Sequence, residues 1–181
     1  MVQKRTYTKR HYRSSDGMMT AVWGPGLWHY LHTMSFNYPV SPTPAEKKHY
    51  SSFVKSLQNV LPCRACRVNL KRNLSQCPIT KKDMESRDSF SKYVYRLHET
   101  VNKMLGKKSG LTYCDVRDTY EAFRARCPKR KTRRESGCTE PLAGRRSRCV
   151  LSIIPHERRC KSLHIDKECM PLKNRNSTRR K

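Results

Sequence analysis

Two cysteines separated by two residues, Cys63 and Cys66, are the side chains of this sequence best suited to chemistry. Pro62 precedes them and helical patterns lie on both sides, so a helix that begins at Cys63 would carry both sulfurs in its first turn. Backbone N–H groups and the helix dipole stabilise a thiolate there, and Arg64 and Arg67 add positive charge. By itself, such a pair is compatible with a redox dithiol, half of a zinc site or two structural thiols.

The composition of the chain indicates which partners it meets and how large a core it can form. Its 181 residues carry a formal charge of +26, from 40 basic and 14 acidic residues. Such a balance indicates polyanions nearby, such as nucleic acid or an anionic surface, although solubility alone is an equally good explanation. The length allows one domain with a real core and an extension.

Nine cysteines are many for a chain that shows no route to an oxidising compartment. The basic N-terminus has no apolar segment after it, and no apolar run approaches a membrane span. We therefore expect a soluble protein with no membrane contact, in which the cysteines serve metal or redox chemistry rather than a secreted disulfide scaffold. Residues 1–20 predict a mobile basic arm.

The first helix that must position these cysteines begins near Pro25, which suits a first helical turn. Its apolar spacing predicts an amphipathic helix that ends at Tyr38-Pro39. Trp28 and His32 are four residues apart and share a face. Without further context, both are most simply core residues.

The second helix begins with a capping box, in which Thr43 is the N-cap and Glu46 lies three residues on. Pro62 ends this helix and is followed by Cys63. Its predicted buried stripe comprises Tyr50, Phe53, Val54, Leu57, Val60 and Leu61. A short basic helix over residues 67–74 follows, and Cys77 lies in a turn as a lone thiol.

The fourth helix is predicted from Ser86 or Asp88 to Leu105, with Gly106 as its C-cap. Its apolar face comprises Phe90, Val94, Leu97, Val101 and Leu105. His98 and Asn102 lie on or beside this face, so both need polar partners.

A fifth helix is predicted from Thr112 to Cys127-Pro128, with Val116, Tyr120 and Phe123 inside. Cys114 and Cys127 would be about 20 Å apart on a straight helix, too far for a direct disulfide. Five helices with short links and no strand pattern up to residue 127 predict an all-α bundle.

Three motifs in this order resemble the ERV/ALR family of FAD-dependent sulfhydryl oxidases, in particular the versions of large cytoplasmic DNA viruses. They are Trp23-Gly24-Pro25-x-x-Trp28-x-x-x-His32 with Tyr38-Pro39, Cys63-x-x-Cys66, and His98-x-x-Val101-Asn102-x-x-Leu105-x-Lys107. The resemblance covers about residues 22–127. The chain departs from the family pattern at Glu99, where an asparagine is usual, and at Tyr120 and Phe123, where tryptophans are usual.

The resemblance implies a four-helix bundle with a short fifth helix, a homodimer, and FAD at the mouth of the bundle with no metal. Cys66 would be the sulfur beside the flavin, and Cys63 would exchange disulfides with the substrate. The implied cofactor-binding residues are Gly24, Pro25, Trp28, His32, Tyr38, Cys66, His98, Val101, Asn102, Leu105 and Lys107. The domain would span residues 21–127, with a basic cysteine-containing extension over 128–181.

The activity that the resemblance implies is the oxidation of reduced protein thiols by dioxygen, with release of hydrogen peroxide. A dedicated oxidant would explain cysteine-rich partners in a reducing cytoplasm. Assembly of virions in the host cytoplasm fits this expectation, as does a place in the virion itself.

The extension carries four cysteines at nearly regular spacing, Cys138, Cys149, Cys160 and Cys169. Two disulfides that staple a small module are the first interpretation. A zinc site and a shuttle pair that passes electrons to Cys63 are the others. Residues 150–154 predict a short strand, residues 128–134 a linker, and residues 175–181 a disordered basic end.

A non-enzymatic basic protein that binds zinc or nucleic acid is the competing interpretation. This interpretation rests on the same cysteines and on the same net positive charge. It leaves Trp28, His32, His98 and Asn102 unexplained, and the basic runs lack the interleaved aromatic residues that stack on bases. Nonspecific contact of the basic termini with polyanions is compatible with either function.

Overall fold

The computed structural model describes residues 8–14, 17–126 and 137–170. The described residues contain six α-helices, which confirms the all-α prediction. They are α1 (Lys9–Tyr12), α2 (Thr20–Phe36), α3 (Pro44–Val60), α4 (Arg64–Gln76), α5 (Arg87–Met104) and α6 (Tyr113–Glu121). The chain divides into two compact units between Ser109 and Gly110.

The first unit contains the four-helix bundle. α2 packs against α5, α3 against α4, and α4 against α5. Its core consists of apolar side chains on these four helices, directly after the ends of α2 and α3, and on the turn between α4 and α5. They are Leu31, Tyr38, Val54, Leu57, Leu61, Leu70, Met84, Phe90, Tyr93, Val94 and Leu97.

Helix starts are specified by their N-caps. Thr43 and Glu46 form the predicted capping box, in which the Thr43 amide donates to Glu46 Oε2 over 2.8 Å. The Ser86 hydroxyl accepts from the amide of Ser89, and Thr112 caps α6 in the same way. These local contacts explain why the starts of α3, α5 and α6 are readable from the sequence.

The predicted buried stripes are wrong at three positions. Phe53 and Val60 on α3 are 37% and 66% exposed, and Leu105, just past α5, is 51% exposed. Each lies at the edge of its apolar stripe, where helical spacing alone does not say whether a neighbouring helix covers the side chain.

Helix α2 begins at Thr20, so Pro25 lies inside the helix rather than in its first turn. The N-cap, Met19, has no side-chain hydrogen bond to mark the start. The early start is therefore invisible to capping rules, and Pro25 is the residue that misleads, because proline is commonest at first helical positions.

The second unit contains α6 and a two-stranded antiparallel sheet, β1 (Ala125–Arg126) and β2 (Glu140–Pro141). Helix α6 ends at Glu121, well before the predicted end at Cys127-Pro128. The predicted strand at residues 150–154 is also wrong, because this segment is irregular and exposed in the structure. A short apolar run forms a stable strand only where another strand offers an edge for pairing.

Several predictions fall on residues outside the described ranges. They concern residues 1–7 and 15–16 of the arm, Cys127, the linker over 128–134 and the basic end over 175–181. Within the described ranges, no helix combines the length and hydropathy that a bilayer crossing requires.

Candidate functional site

Cys63 and Cys66 form a disulfide at the N-terminus of α4. Cys63 is the N-cap, and its Sγ accepts a hydrogen bond from the amide of Cys66 over 3.2 Å. Both residues are half-buried, and Cys66 packs against the core of the bundle. The predicted placement of both sulfurs at the helix start is confirmed, where helix N–H groups favour a thiolate once the bond opens.

The loop before the disulfide is held by its own helix. Arg67 on α4 donates from Nη1 to the carbonyl oxygen of Leu61 over 2.6 Å. Arg67 therefore acts on the loop backbone in addition to supplying charge, a role that the sequence analysis missed. The exposed Pro62, which follows Leu61, has no backbone N–H group, so the loop has one hydrogen-bond donor fewer.

Residues 17–19 lie along the same loop. Gly17 forms an antiparallel bridge with Cys63, and the Met18 amide donates to the carbonyl oxygen of Pro62 over 2.6 Å. Trp23 Nε1 donates to the carbonyl oxygen of Met18 over 3.2 Å, which ties the segment to α2. The predicted arm thus includes residues that contact the disulfide loop.

Gly17 is required for this close approach. Its φ is +115°, and an added Cβ would lie 2.5 Å from the carbonyl oxygen of Pro62 and 2.7 Å from Cys63 Cα. Residues other than glycine rarely adopt this backbone conformation, and no side chain fits between Gly17 and the Pro62–Cys63 backbone. A glycine directly after Ser14-Ser15-Asp16 was the available signal, but its partner lies more than forty residues away in the sequence.

Thr20, the first residue of α2, brings its hydroxyl group to the disulfide. Its Oγ1 lies 3.4 Å from Cys66 Sγ. No motif in the sequence pointed to Thr20, because a threonine before an apolar helix usually serves as an ordinary cap.

Trp28, His32 and His98 form a second cluster, between α2 and α5. His32 Nε2 and His98 Nδ1 are 2.9 Å apart and share a hydrogen bond. The Trp28 and His98 rings stack, with centroids 3.9 Å apart and planes 6° from parallel. The expectation that His98 needs a polar partner is confirmed, and α2 supplies that partner.

The environment keeps both imidazoles neutral. Burial lowers the pKa of His32 to about 3, helped by the neighbouring His98 and His29. Burial also lowers the pKa of His98 to about 4; the charge of Glu99 opposes the shift and that of Lys107 reinforces it. In a neutral pair, one ring donates and the other accepts, which suits the shared hydrogen bond.

Asn102 is held at the end of α5. Its Nδ2 donates to Glu99 Oε1 over 2.9 Å, and its carbonyl oxygen accepts from the Lys107 amide over 2.8 Å. Glu99, at which the sequence departs from the family pattern, therefore orients Asn102 and also acts electrostatically on His98. The expectation that Asn102 needs a partner is confirmed.

The remaining predicted cofactor residues occupy different surroundings. Gly24 is buried, Pro25 and Val101 are half-buried, and Leu105 and Lys107 are exposed. Tyr38 is fully buried; its hydroxyl donates to the Met84 carbonyl oxygen over 3.0 Å, and its ring contacts Tyr50 and Phe90. In this structure, Tyr38 joins the end of α2 to the core.

The other described cysteines include both bonded and free sulfurs. Cys138 is disulfide-bonded, whereas Cys77, Cys114, Cys149, Cys160 and Cys169 are free thiols. Two disulfides among the four cysteines of the extension are therefore not formed. Across residues 8–14, 17–126 and 137–170, no three Cys, His, Asp or Glu side chains converge as a metal site.

The residues of the bundle fit the chemistry of FAD. The half-buried Trp28 and His98 present flat, neutral rings, which suit an aromatic ring system. Asn102 offers polar groups at the same end of α5, and the exposed Lys107 offers a cation for a pyrophosphate. The disulfide lies at the start of α4 and is contacted by Thr20. Trp28 is eight residues after Thr20 on α2, which places the two residues about 12 Å apart along the helix axis.

Comparison with known proteins supports the same assignment. The model of the Erv1/Alr family matches residues 25–127, more than half of the chain. A protein of Acanthamoeba polyphaga mimivirus, named probable FAD-linked sulfhydryl oxidase R368, is 34% identical over 115 residues, which cover 64% of this chain and 78% of that protein.

Two further proteins show the range of the similarity. The FAD-linked sulfhydryl oxidase of African swine fever virus (isolate Pig/Kenya/KEN-50/1950) is 27% identical over 99 residues, 55% of this chain and 80% of that protein. The crystal structure of the yeast Erv1 core superimposes with a TM-score of 0.51 at 23% identity, covering 66% of this chain and 94% of that one. The structural likeness shows that the fold is shared.

Proposed function

The chain belongs to the Erv1/Alr family, and from this premise we propose that it is an FAD-linked sulfhydryl oxidase that forms disulfide bonds in protein substrates. Its relatives in mimivirus and African swine fever virus carry the name FAD-linked sulfhydryl oxidase. The observation that carries the proposal is the Cys63–Cys66 disulfide at the N-terminus of a bundle helix, with Cys66 packed against the core.

The first half of the reaction is thiol–disulfide exchange by the chain's own cysteines. A substrate thiolate attacks Cys63 Sγ, the Cys63–Cys66 bond breaks, and Cys66 leaves as a thiolate. A second substrate thiolate then attacks the mixed disulfide, which releases the oxidised substrate and the Cys63 thiolate. The substrate has lost two electrons and the Cys63/Cys66 pair has gained them.

The N-terminus of α4 favours this exchange because it stabilises the leaving thiolate of Cys66. Cys66 packs against the core and Cys63 is the cap residue, which supports Cys63 as the sulfur that meets the substrate. Arg67 holds the Leu61 carbonyl, so the loop keeps its geometry when the disulfide opens.

FAD, when bound, supplies an acceptor for the two electrons and passes them to dioxygen, with release of hydrogen peroxide. Trp28, His32, His98 and Asn102 would hold its ring systems and Lys107 its phosphates. Gly24, Pro25, Val101 and Leu105 would line the same site, and Tyr38 would anchor the end of α2 behind it.

The flavin spectrum and the oxidation of a small dithiol test this function together. Purified full-length protein should show flavin absorbance and consume dioxygen with dithiothreitol. Cys66→Ser should retain the flavin and lose at least about 99% of turnover, since its hydroxyl cannot leave or re-form the bond. Cys114→Ser, which removes an exposed free thiol, is the matched control and should retain full activity.

Colourless protein that does not bind added FAD would refute the function. Undiminished turnover by Cys66→Ser would remove Cys66 from the reaction while leaving the family assignment intact.

We propose a homodimer formed through α2 and α3. Tyr30 and Phe53 are 54% and 37% exposed and contact each other edge to face, with centroids 6.0 Å apart. Exposed aromatic residues of this kind are enriched at interfaces. Light scattering should give twice the chain mass, and a Tyr30→Asp/Phe53→Asp double variant should give the monomer.

We further propose that residues 21–127 form the oxidase domain and that the protein serves disulfide formation in virion proteins, in the host cytoplasm or the virion. The viral origin of the relatives from mimivirus and African swine fever virus supports this setting. The net charge of +26 supports nonspecific contact of the basic termini with polyanions. Such contact should weaken steeply with salt, whereas oxidation of dithiothreitol should not.

A further inference from the structure

The hydroxyl group of Thr20 lies 3.4 Å from Cys66 Sγ. Thr20 precedes the matched family region, which begins at residue 25, so the family assignment gives it no role. In the disulfide, Cys66 Sγ is only a weak acceptor. When exchange opens the disulfide, Cys66 becomes an anion, and hydrogen bonds to ionised acceptors are shorter and about twice as strong as neutral ones.

We propose that Thr20 is a further catalytic group, whose hydroxyl donates a hydrogen bond to the Cys66 thiolate when the Cys63–Cys66 disulfide is reduced. The use of this bond in turnover rests on the proposed oxidase function, whereas the bond itself does not. It stabilises Cys66 as the leaving group of thiol–disulfide exchange and holds the sulfur in place afterwards.

The position of Thr20 in its helix leaves the hydroxyl available. Inside a helix, a threonine hydroxyl often bonds the carbonyl oxygen three or four residues earlier. Thr20 is the first residue of α2 and therefore has no preceding turn of that helix to bond. The β-branched side chain also has few rotamers, so little freedom is lost when its hydroxyl meets the sulfur.

Backbone contacts keep Thr20 beside the sulfur while the disulfide opens. The segment directly before it is bound to the loop by the Gly17–Cys63 bridge and by the 2.6 Å hydrogen bond from the Met18 amide to Pro62. Trp23, on the first turn of α2, donates a hydrogen bond from Nε1 to the Met18 carbonyl oxygen and so ties this segment to the helix. These contacts use no cysteine sulfur, so we expect them to persist when the disulfide is reduced.

The expected contribution is partial, because the N-terminus of α4 stabilises the same thiolate without Thr20. Thr20 is also exposed, so water replaces some of the lost hydrogen bond. We expect removal of the hydroxyl to raise the pH midpoint of Cys66 thiolate formation by about 0.5 to 1 unit, a three- to tenfold change in the equilibrium.

The experiment uses the full-length chain with Cys63→Ser, so that Cys66 cannot form the disulfide. Alkylation of Cys66 by iodoacetamide is followed between pH 5 and 10 by mass spectrometry of the peptide that carries it. Thr20→Val, which replaces the hydroxyl by a methyl group at nearly constant shape, should shift the midpoint upward. Thr20→Ser, which keeps a hydroxyl, should restore most of the parent midpoint.

A Thr20→Val midpoint within 0.2 unit of the parent would overturn the proposal, as would an equal shift in Thr20→Ser. Circular dichroism checks the fold of each variant, and Thr20→Ala takes the place of Thr20→Val, with the same expected shift, if the valine variant is not helical. Flavin absorbance is recorded on the same samples. Turnover with dithiothreitol is measured separately on the parent chain, which keeps both cysteines. Failure of the oxidase function would appear as missing flavin and as missing turnover of the parent chain, whereas failure of the Thr20 proposal would appear only in the alkylation midpoints.

Discussion

Two parts of the bundle carry the proposed chemistry, and they are built in opposite ways. The dithiol end consists of the disulfide, Thr20 and residues 17–19, and backbone contacts hold it at a half-exposed helix start. The imidazole cluster consists of Trp28, His32 and His98, and side chains from two packed helices hold it together. Helix α2 contributes to both.

This difference in construction means that the dithiol end serves reactivity and the imidazole cluster serves stability. The dithiol must be reached by substrate thiols, so it lies at a half-exposed helix start, where backbone contacts of residues 17–19 hold its loop. The cluster is held by the packing of α2 against α5, and the burial that this packing produces lowers the pKa values of both histidines. Substitutions in the cluster should therefore lower the free energy of unfolding, whereas those at the dithiol end should mainly alter turnover.

The largest effect on stability is expected from Trp28→Ala. Loss of the half-buried ring that stacks on His98 should lower the free energy of unfolding by about 3 kcal/mol, toward the lower part of the range for buried tryptophans. Retained flavin should fall with it. Urea unfolding measures the change, and Trp28→Phe, which keeps a flat ring, should lose less than half as much. A loss below about 1 kcal/mol would contradict the assigned role of the stack.

Mild acid should weaken the cluster before it affects the dithiol end. His32 and His98 have folded pKa values of about 3 and about 4, below the ordinary 6.5. The unfolded chain therefore binds protons first, and stability present above pH 6.5 is lost as the pH falls toward the folded values. Between pH 6.5 and 5, the loss should be about 2 kcal/mol for buried His32, and less for the more exposed His98.

Urea unfolding at several pH values checks this window, which lies above the range in which Asp83 and Glu46 take up protons, since both have lowered pKa values. A His32→Gln/His98→Gln variant should flatten the dependence between pH 6.5 and 5. An unchanged slope in that variant would assign the acid effect to other groups.

The smallest effect on global stability is expected from Gly17→Val, which tests the dithiol end. The added side chain meets Pro62 and Cys63 and needs a backbone conformation that valine avoids, so residues 17–19 should detach from the loop. Hydrogen exchange of the Met18 amide should accelerate at least tenfold. The free energy of unfolding should change by less than about 1 kcal/mol, because α2 and the core are untouched. Gly26→Ala, where an added Cβ meets nothing, is the control.

Much of the fold was predictable, because its signals are local. The capping box at Thr43, the serine cap at Ser86 and the proline before Cys63 specify helix boundaries within a few residues of sequence. The start of α2 was predicted wrongly, since Met19 leaves no capping signal and Pro25 imitates one. The family resemblance is confirmed by the family match, because spaced motifs are more specific than any one of them.

The sequence by itself determined that the chain folds as helices, that two sulfurs stand at a helix start, and that His98 and Asn102 need polar partners. Those properties follow from spacing, caps and hydrogen-bond capacity within one element. Only the tertiary structure decided that His32 meets His98 and that Gly17 and Thr20 reach the disulfide. These contacts join residues more than forty positions apart, and their geometry depends on how the helices pack, which no local pattern encodes.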